Sequence, residues 1–416
     1  MYFCAETRVV VNGLGHMTRR LPRRSRATRR RLFHSCVFAS LLAFALALLP
    51  ELARAGSALL LLANMTGQHG LDGLAAQVLE PITERDAPLR LGARTFRARR
   101  YAPTRSQAQR PGALLLHGVH PRGIDERHLV DFARTLAAGG LDVLTPELPE
   151  LLAYRLGGTT IDDIRLFATA HAHATHTPAV GAIGISFAGG LALMAAAGQR
   201  DPGSIGWVVS VGGHHDLLRL CRYYAGDDVR GPRGERVAVA PHPYGARVMI
   251  REHLDRFVSS SDLGLARRAL DAYLHDRGSE ARQLALGLSA SGQRVLAILL
   301  DSQQHEALAQ LLNQTVASVR PQLMAASPSG HLAQLHVPVF LVHGAGDPII
   351  PSIETRFLAA EVPNGWLRQS VITPLLRHTE FPEPPKLSET WQLVRFLKGI
   401  YEAAGSSAQH VATANP

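Results

Sequence analysis

From Gly112 to Val211 the chain alternates short apolar runs with amphipathic stretches, and this rhythm limits its architecture more than any other feature. Gly112 to Leu116 reads as a buried strand that ends in His117-Gly118. A helix is expected from about Glu126 to Gly139, a strand over 141–145, a helix from near Thr160, a strand over 180–184, a helix over 191–198 and a strand over 205–211. Strands without a polar face must be covered on both sides. Helices between successive strands make those strands run parallel. The rhythm stops at Gly212 and resumes only near His336. Between them, stretches such as 262–274 and 306–319 show helical periodicity and no buried strand stands out. The expected fold is therefore α/β: a mostly parallel central sheet with helices on both faces and a helical cap inserted over 213–335.

The flanks complete this outline. Residues 66–88 read as helical with a break at Pro81, within an N-terminal helical segment over 56–88. Residues 89–102 alternate in polarity and predict one or two hairpin strands. Further core strands are expected at 337–342 and 369–375. A closing helix over 387–404 would turn Leu387, Trp391, Val394, Leu397 and Tyr401 to the sheet. The core is thus 89–212 with 336–404, and the small polar stretch 405–416 is expected to be disordered.

The formal net charge of +10 invites a nucleic-acid reading, but its placement argues against one. Residues 1–55 carry ten arginines against Glu6 and Glu51, which is +8 of that total. The remainder is close to neutral, so a basic groove for phosphates is not expected. After this arginine-rich stretch, Leu32 to Leu49 runs eighteen residues without a formal charge and leads to Ala53-Arg54-Ala55. A basic stretch, an apolar core and a small-x-small site predict a signal peptide, or a membrane anchor if it is not cut. Either way the body would be exported: periplasmic, or held at the membrane outside the cytoplasm. Only Cys221 lies beyond this leader, so no disulfide framework is expected in the body.

The sharpest chemical signal is Gly184-Ile185-Ser186-Phe187-Ala188-Gly189-Gly190, where a buried strand must turn at once into a helix. Such a turn strains its middle residue and tolerates only small neighbours. It holds the serine hydroxyl proud of the sheet, at a helix N-terminus that favours developing negative charge. Ala188 stands at the second position after the serine, where glycine is more usual. A serine needs a base, and the base an orienting acid, in the chain order Ser, acid, His. Asp347 lies just beyond the strand at 337–342, and His378 beyond the last strand. The expected catalytic set is Ser186, Asp347 and His378. The oxyanion hole would take the N–H of Phe187 and, from the loop after Leu116, the N–H of Val119, since Pro121 cannot donate.

These segments, LLLHG at 114–118, GISFAGG at 184–190, FLVHGAGDPIIP at 340–351 and LLRH at 375–378, resemble the alpha/beta-hydrolase superfamily over roughly residues 89–404. The whole set resembles exported or membrane-anchored bacterial members of that superfamily. The resemblance implies its fold, its triad roles and acyl-transfer chemistry. A serine at the elbow favours esterase, lipase, thioesterase or peptidase chemistry over the superfamily's Asp- and Cys-nucleophile branches.

The expected function is hydrolysis of a carboxylic ester by two-step acyl transfer to water, on a small-molecule or lipid acyl-ester substrate. A peptidase or amidase on the same fold is one alternative. A catalytically silent acyl- or lipid-binding envelope protein is another, and a perhydrolase-like activity a third. No metal or organic cofactor is implied, and no nucleic-acid partner. Membrane association would run through the N-terminal segment. His120, His214 and His215 are candidate pocket residues, with a cap hinge as the alternative for His214-His215-Asp216. His171, His173 and His176 fall at helical spacing that turns i and i+2 to different faces, so they are not read as a metal site. His343, the rival base, is expected to bond at the sheet edge.

Overall fold

The computed structural model describes residues 79–105, 110–199, 203–301, 303–374 and 387–409. The expected leader, 1–55, and the stretch 56–78 lie outside the described residues. Among those described, no helix is long and apolar enough to cross a membrane.

The strands are β1 (Ile82–Asp86), β2 (Leu89–Leu91), β3 (Arg94–Phe96), β4 (Ala98–Pro103), β5 (Gly112–Leu116), β6 (Asp142–Pro146), β7 (Val180–Ile185), β8 (Ile205–Val211), β9 (Val339–Gly344) and β10 (Leu367–Thr373). Eight of them form one sheet in the order β1-β4-β6-β5-β7-β8-β9-β10. The β1–β4 and β4–β6 pairs are antiparallel, and every pair from β6 through β5 to β10 is parallel. Every residue of β5 and of β6 is buried; β5 accordingly reads as a continuous apolar run, and the buried Asp142 of β6 is paired with Arg100.

Three core helices follow the expected rhythm: α1 (Arg127–Ala138), α3 (Thr159–Thr175) and α4 (Phe187–Ala197), with the short α2 (Pro149–Leu152) before α3. After β9 comes α11 (Ile353–Glu361), and α12 (Leu387–Gln409) closes the chain. Leu129, Leu136, Val394 and Leu397 pack with Leu115, Val143 and Trp207 on one face of the sheet. Phe167, Leu191 and Leu193 pack with Leu114, Leu116 and Val208 on the other. The sheet is covered twice, as a parallel sheet must be.

Between β8 and β9 lie α5 (Leu217–Tyr224), α6 (Pro243–Arg251), α7 (Ser260–Leu274), α8 (Gly278–Leu286), α9 (Ala290–Leu300) and α10 (His305–Ala325). Asp216 caps α5 through the N–H groups of Leu218 and Arg219, and Ser259 caps α7 through that of Asp262. The carboxylate of Asp262 in turn accepts from the N–H and hydroxyl of Ser289, which ties the start of α7 to the start of α9.

Three expectations need correction. Residues 82–86, read as helical, form strand β1, because all five pair with residues 99–103 of β4. Residues 405–409, expected to be disordered, continue α12. Ala404 and Ala408 are buried, and the small Gly206 on β8 leaves room for Ser407 against the strand. Trp391, expected on the inner face of α12, is 56% exposed, while Val394 and Leu397 of the same helix are buried. The hairpin reading of 89–102 holds for β2 and β3, but β4 leaves it to join the main sheet.

Gly181 shows how tightly the two central strands fit. It stands beside Trp207 in the β7–β8 register, and a Cβ there would lie 2.0 Å from the fully buried indole ring. Trp207 therefore fills the space that Gly181 leaves empty. Gly181→Val should overpack this layer and lower stability by about 1–3 kcal/mol, read as an earlier urea midpoint by tryptophan fluorescence. An unchanged midpoint would mean that the ring relocates freely.

Candidate active site

Ser186 sits between β7 and α4 with φ 56° and ψ −130°, a positive-φ backbone conformation that L-residues rarely adopt. Its neighbours hold it there. The Ser186 N–H donates to the carbonyl of Val211 at 2.7 Å, fastening the turn to the end of β8. Its own carbonyl accepts from Gly189 N–H at 2.8 Å. A Cβ on Gly184 would lie 2.3 Å from the Ala188 carbonyl oxygen, so only glycine fits two residues before the serine. Two residues after it, Ala188 is accommodated and fully buried. Gly189 and Gly190 then let α4 close onto Ser210 and His214.

The loop after β5 approaches the elbow from the other side. A Cβ on Gly118 would lie 3.0 Å from Ser186 Cβ and 3.6 Å from its Oγ. The Val119 backbone follows directly. Among the described residues, neither the Val119 nor the Phe187 N–H has a hydrogen-bond acceptor. Tyr244, near the start of α6, places its hydroxyl 3.5 Å from the Val119 carbonyl.

Asp347 lies in the turn after β9 and is almost completely buried. Its Oδ1 accepts the N–H groups of Ile349 and Ile350 at 2.8 and 3.0 Å, which fixes the carboxylate within its own turn. His343 is fully buried beside it, with Nε2 3.5 Å from Asp347 Oδ2. His343 Nε2 meets the carbonyl of Ile350 at 2.7 Å, and a carbonyl can only accept, so this nitrogen carries the proton. Nδ1 meets Thr355 Oγ1 at 2.6 Å. His343 thus ties the Asp347 turn through Nε2 and α11 through Nδ1. His378 lies outside the described residues, which stop at 374 and resume at 387. Ser186, Asp347 and Val119 all stand at the C-terminal ends of parallel strands, the edge where open α/β sheets bind ligands.

The inserted helices reach this same edge. His242 donates its N–H to the Pro348 carbonyl at 2.8 Å, one residue from Asp347. Arg251 reaches the Ala153 carbonyl at 3.1 Å. Gly245 of α6 abuts the ring of Tyr224 on α5. Burial, with a smaller effect of the Asp347 charge, raises the phenols of Tyr223 and Tyr224, so both are neutral. Sequence reasoning missed Tyr244, because in a helical stretch nothing separates a core tyrosine from one that reaches the loop beside Ser186.

The remaining histidines fall into place as structure. His214 is fully buried, and its Nε2 donates to the Ala326 carbonyl at 2.9 Å. His215 donates from Nε2 to Glu361 at 2.6 Å and accepts from Arg219 on Nδ1 at 3.0 Å. The buried Glu354 accepts from the N–H groups of His215 and Asp216 and from Arg219. Glu361 accepts also from Leu332 N–H. These contacts clasp both ends of the insertion to α11. His120 is half-buried on the loop after β5, its Nδ1 accepting from Arg122 N–H at 3.2 Å, and burial lowers its pKa. His171 turns inward to the Asp142 carbonyl at 2.8 Å while His173 and His176 face solvent. Glu126 caps α1, and Glu147 pairs with Arg97 at 2.9 Å.

Burial lowers the pKa of His117 and of His214 to about 4. The unfolded chain takes up these protons near pH 6.5, so between about 6.5 and 4 it binds more protons than the folded one. Stability should therefore fall as pH drops through that window, by up to about 3 kcal/mol for each histidine, and level off below it. Urea midpoints across the window test this, and a stability that rises toward pH 4 would refute it.

No protein-family model matches the chain, and no curated protein matches it. Among solved structures it is similar to a 2,6-dihydroxy-pseudo-oxynicotine hydrolase, at 14% identity and TM-score 0.46, over 83% of this chain and 74% of that one. It is similar to an acylaminoacyl peptidase of Pyrococcus horikoshii, at 12% identity and TM-score 0.43, over 81% of this chain and 44% of that one. A puromycin hydrolase matches at 14% identity and TM-score 0.43, over 78% of this chain and 39% of that one. The chain thus spans less than half the length of the last two. Its own strand order, its parallel β6-to-β10 connections and its strand–Ser186–helix elbow give it the alpha/beta-hydrolase fold.

Proposed function

We propose that this protein is a serine hydrolase that cleaves a carboxylic ester by two-step acyl transfer to water. The observation that carries the proposal is the backbone of Ser186, held at positive φ at the N-terminus of α4 with the Gly118 backbone against its side chain. A strained serine at that position is expected where its hydroxyl must meet an incoming carbonyl.

In the proposed reaction His378 takes the Ser186 proton as Oγ attacks the carbonyl carbon. The Val119 and Phe187 N–H groups stabilise the oxyanion. The tetrahedral intermediate collapses, the alcohol leaves with the proton from His378, and an acyl-enzyme remains. Water, deprotonated by the same histidine, attacks that ester and releases the acid. Asp347 keeps the imidazole oriented and stabilises its cationic form. The unengaged N–H groups of Val119 and Phe187 support this reading. The substrate is a small-molecule or lipid acyl ester, and the inserted helices over the sheet edge set the acyl chain it accepts. The arginine-rich leader and its apolar run support export, with the hydrolase body outside the cytoplasm.

The full-length chain should be labelled by a fluorophosphonate, and Ser186→Ala and His378→Ala should abolish that labelling. Absence of labelling in the folded wild type would sink the proposal and favour an acyl-binding protein. A matched series of p-nitrophenyl esters and anilides then separates esterase from amidase, with esters expected to turn over faster. Asp347→Asn retains an acceptor for Ile349 and Ile350, so the fold should persist while kcat falls by roughly 10³–10⁴. A kcat within a few-fold of wild type would remove Asp347 from the triad.

A further inference from the structure

The peptide that would present the second oxyanion donor joins Gly118 to Val119. Glycine leaves its flanking peptides freer to rotate than any other residue does. A larger residue at 118 would also be crowded, because a Cβ would lie 3.0 Å from Ser186 Cβ and 3.2 Å from the Ile185 carbonyl oxygen. The site thus needs its most mobile residue where an N–H must be aimed, and something else must fix the peptide.

His117 is placed to do so. It is buried, and both ring nitrogens are engaged. Leu148 N–H points at Nε2 at 2.9 Å, and since a backbone N–H can only donate, Nε2 carries no proton. In a neutral imidazole the proton is then on Nδ1, which lies 2.7 Å from the Gly118 carbonyl oxygen. Burial lowers the pKa of this ring to about 4, so it stays neutral at pH 7. The Gly118 carbonyl and the Val119 N–H belong to one planar trans peptide and point in opposite directions. Holding the carbonyl on His117 therefore directs the Val119 N–H the other way, out of the bond that holds it.

We infer that His117 is a positioning residue of the oxyanion hole: its Nδ1–H, fixed in that tautomer by Leu148, clamps the 118–119 peptide and so aims the Val119 N–H at the reacting carbonyl. The inference rests on the serine-hydrolase reading proposed above. It assigns His117 no contact with substrate and no proton transfer.

Two substitutions split the two bonds. His117→Asn can keep a donor near the Nδ1 position and loses the acceptor for Leu148. His117→Gln can reach Leu148 with its carbonyl and loses the donor to Gly118. The readouts are kcat and KM on a p-nitrophenyl ester, and the rate ratio between that ester and its thionoester, whose sulfur is a poor acceptor in an oxyanion hole. The Gln variant should lose about 10²–10³ in kcat, the size of one oxyanion-hole donor, with KM within a few-fold. Its oxo-to-thiono ratio should fall toward unity. The Asn variant should stay within about tenfold of wild type and keep the ratio. Equal losses in both variants with the ratio unchanged would show a merely structural histidine and overturn the inference. Histidine ¹⁵N NMR of the wild type tests it without any variant: a proton on Nδ1 and none on Nε2 of His117 at pH 7 supports it, and the reverse tautomer overturns it. A wild-type protein that is unlabelled by fluorophosphonate and hydrolyses no ester would instead fail the proposed function, and the inference with it. Labelling and turnover with a defeated clamp would leave the hydrolase standing.

Discussion

The constraint on which the rest depends is the backbone of Ser186. A non-glycine residue at positive φ costs of order 1–3 kcal/mol and persists only where its surroundings leave no alternative. Here they leave none. The bare Gly184 admits the Ala188 carbonyl, the Val211 carbonyl holds the Ser186 N–H, and Gly189 and Gly190 bring α4 hard against Ser210 and His214. Because Val211 ends β8 and His214 lies at the start of the insertion, the elbow is braced by the next strand and by the insertion. The central strands therefore supply rigidity as well as a core.

The same economy appears in the loops around the elbow. His117 and His343 each follow or end a buried strand, and each spends both ring nitrogens on backbone or hydroxyl partners. One grips the loop that carries Val119, the other the turn that carries Asp347. A buried imidazole suits this work because it donates from one side and accepts on the other without carrying charge. Helix α11 extends the frame outward. Glu354 and Glu361 collect the N–H groups of 215, 216 and 332 together with Arg219, so the helix that follows the Asp347 turn also fastens both ends of the insertion. The guanidinium of Arg219 lies 3.7 Å over the Phe357 ring, which completes this buried cluster.

Much of this was legible in the residues. Continuous apolar runs such as Leu114-Leu115-Leu116 could only be parallel strands covered on both faces, and they are. The Gly184-to-Gly190 stretch announced a strained turn, and Ser186 is strained. What failed did so for identifiable reasons. Residues 82–86 carry alternating charge and no apolar run, so only pairing with β4 makes them a strand. Ser406, Ser407 and Ala408 look like a tail until Gly206 offers them a surface. The partners of His214 and His215, namely Ala326, Glu354 and Glu361, went unread because they lie more than a hundred residues away, beyond the reach of local pattern.

The sequence by itself determined the layering, the parallel strands and the place of the strand-to-helix elbow at Ser186. Hydrophobic period and the steric demands of a tight turn act over a few neighbouring residues, and both are written locally. Tertiary structure alone decided which histidines are braces, that Tyr244 of the insertion reaches the Val119 carbonyl, and which way the Gly118–Val119 peptide points. Those outcomes depend on contacts between strands and loops distant in the chain. A hydrogen bond made at 2.7 Å or missed altogether leaves no mark on the order of the residues.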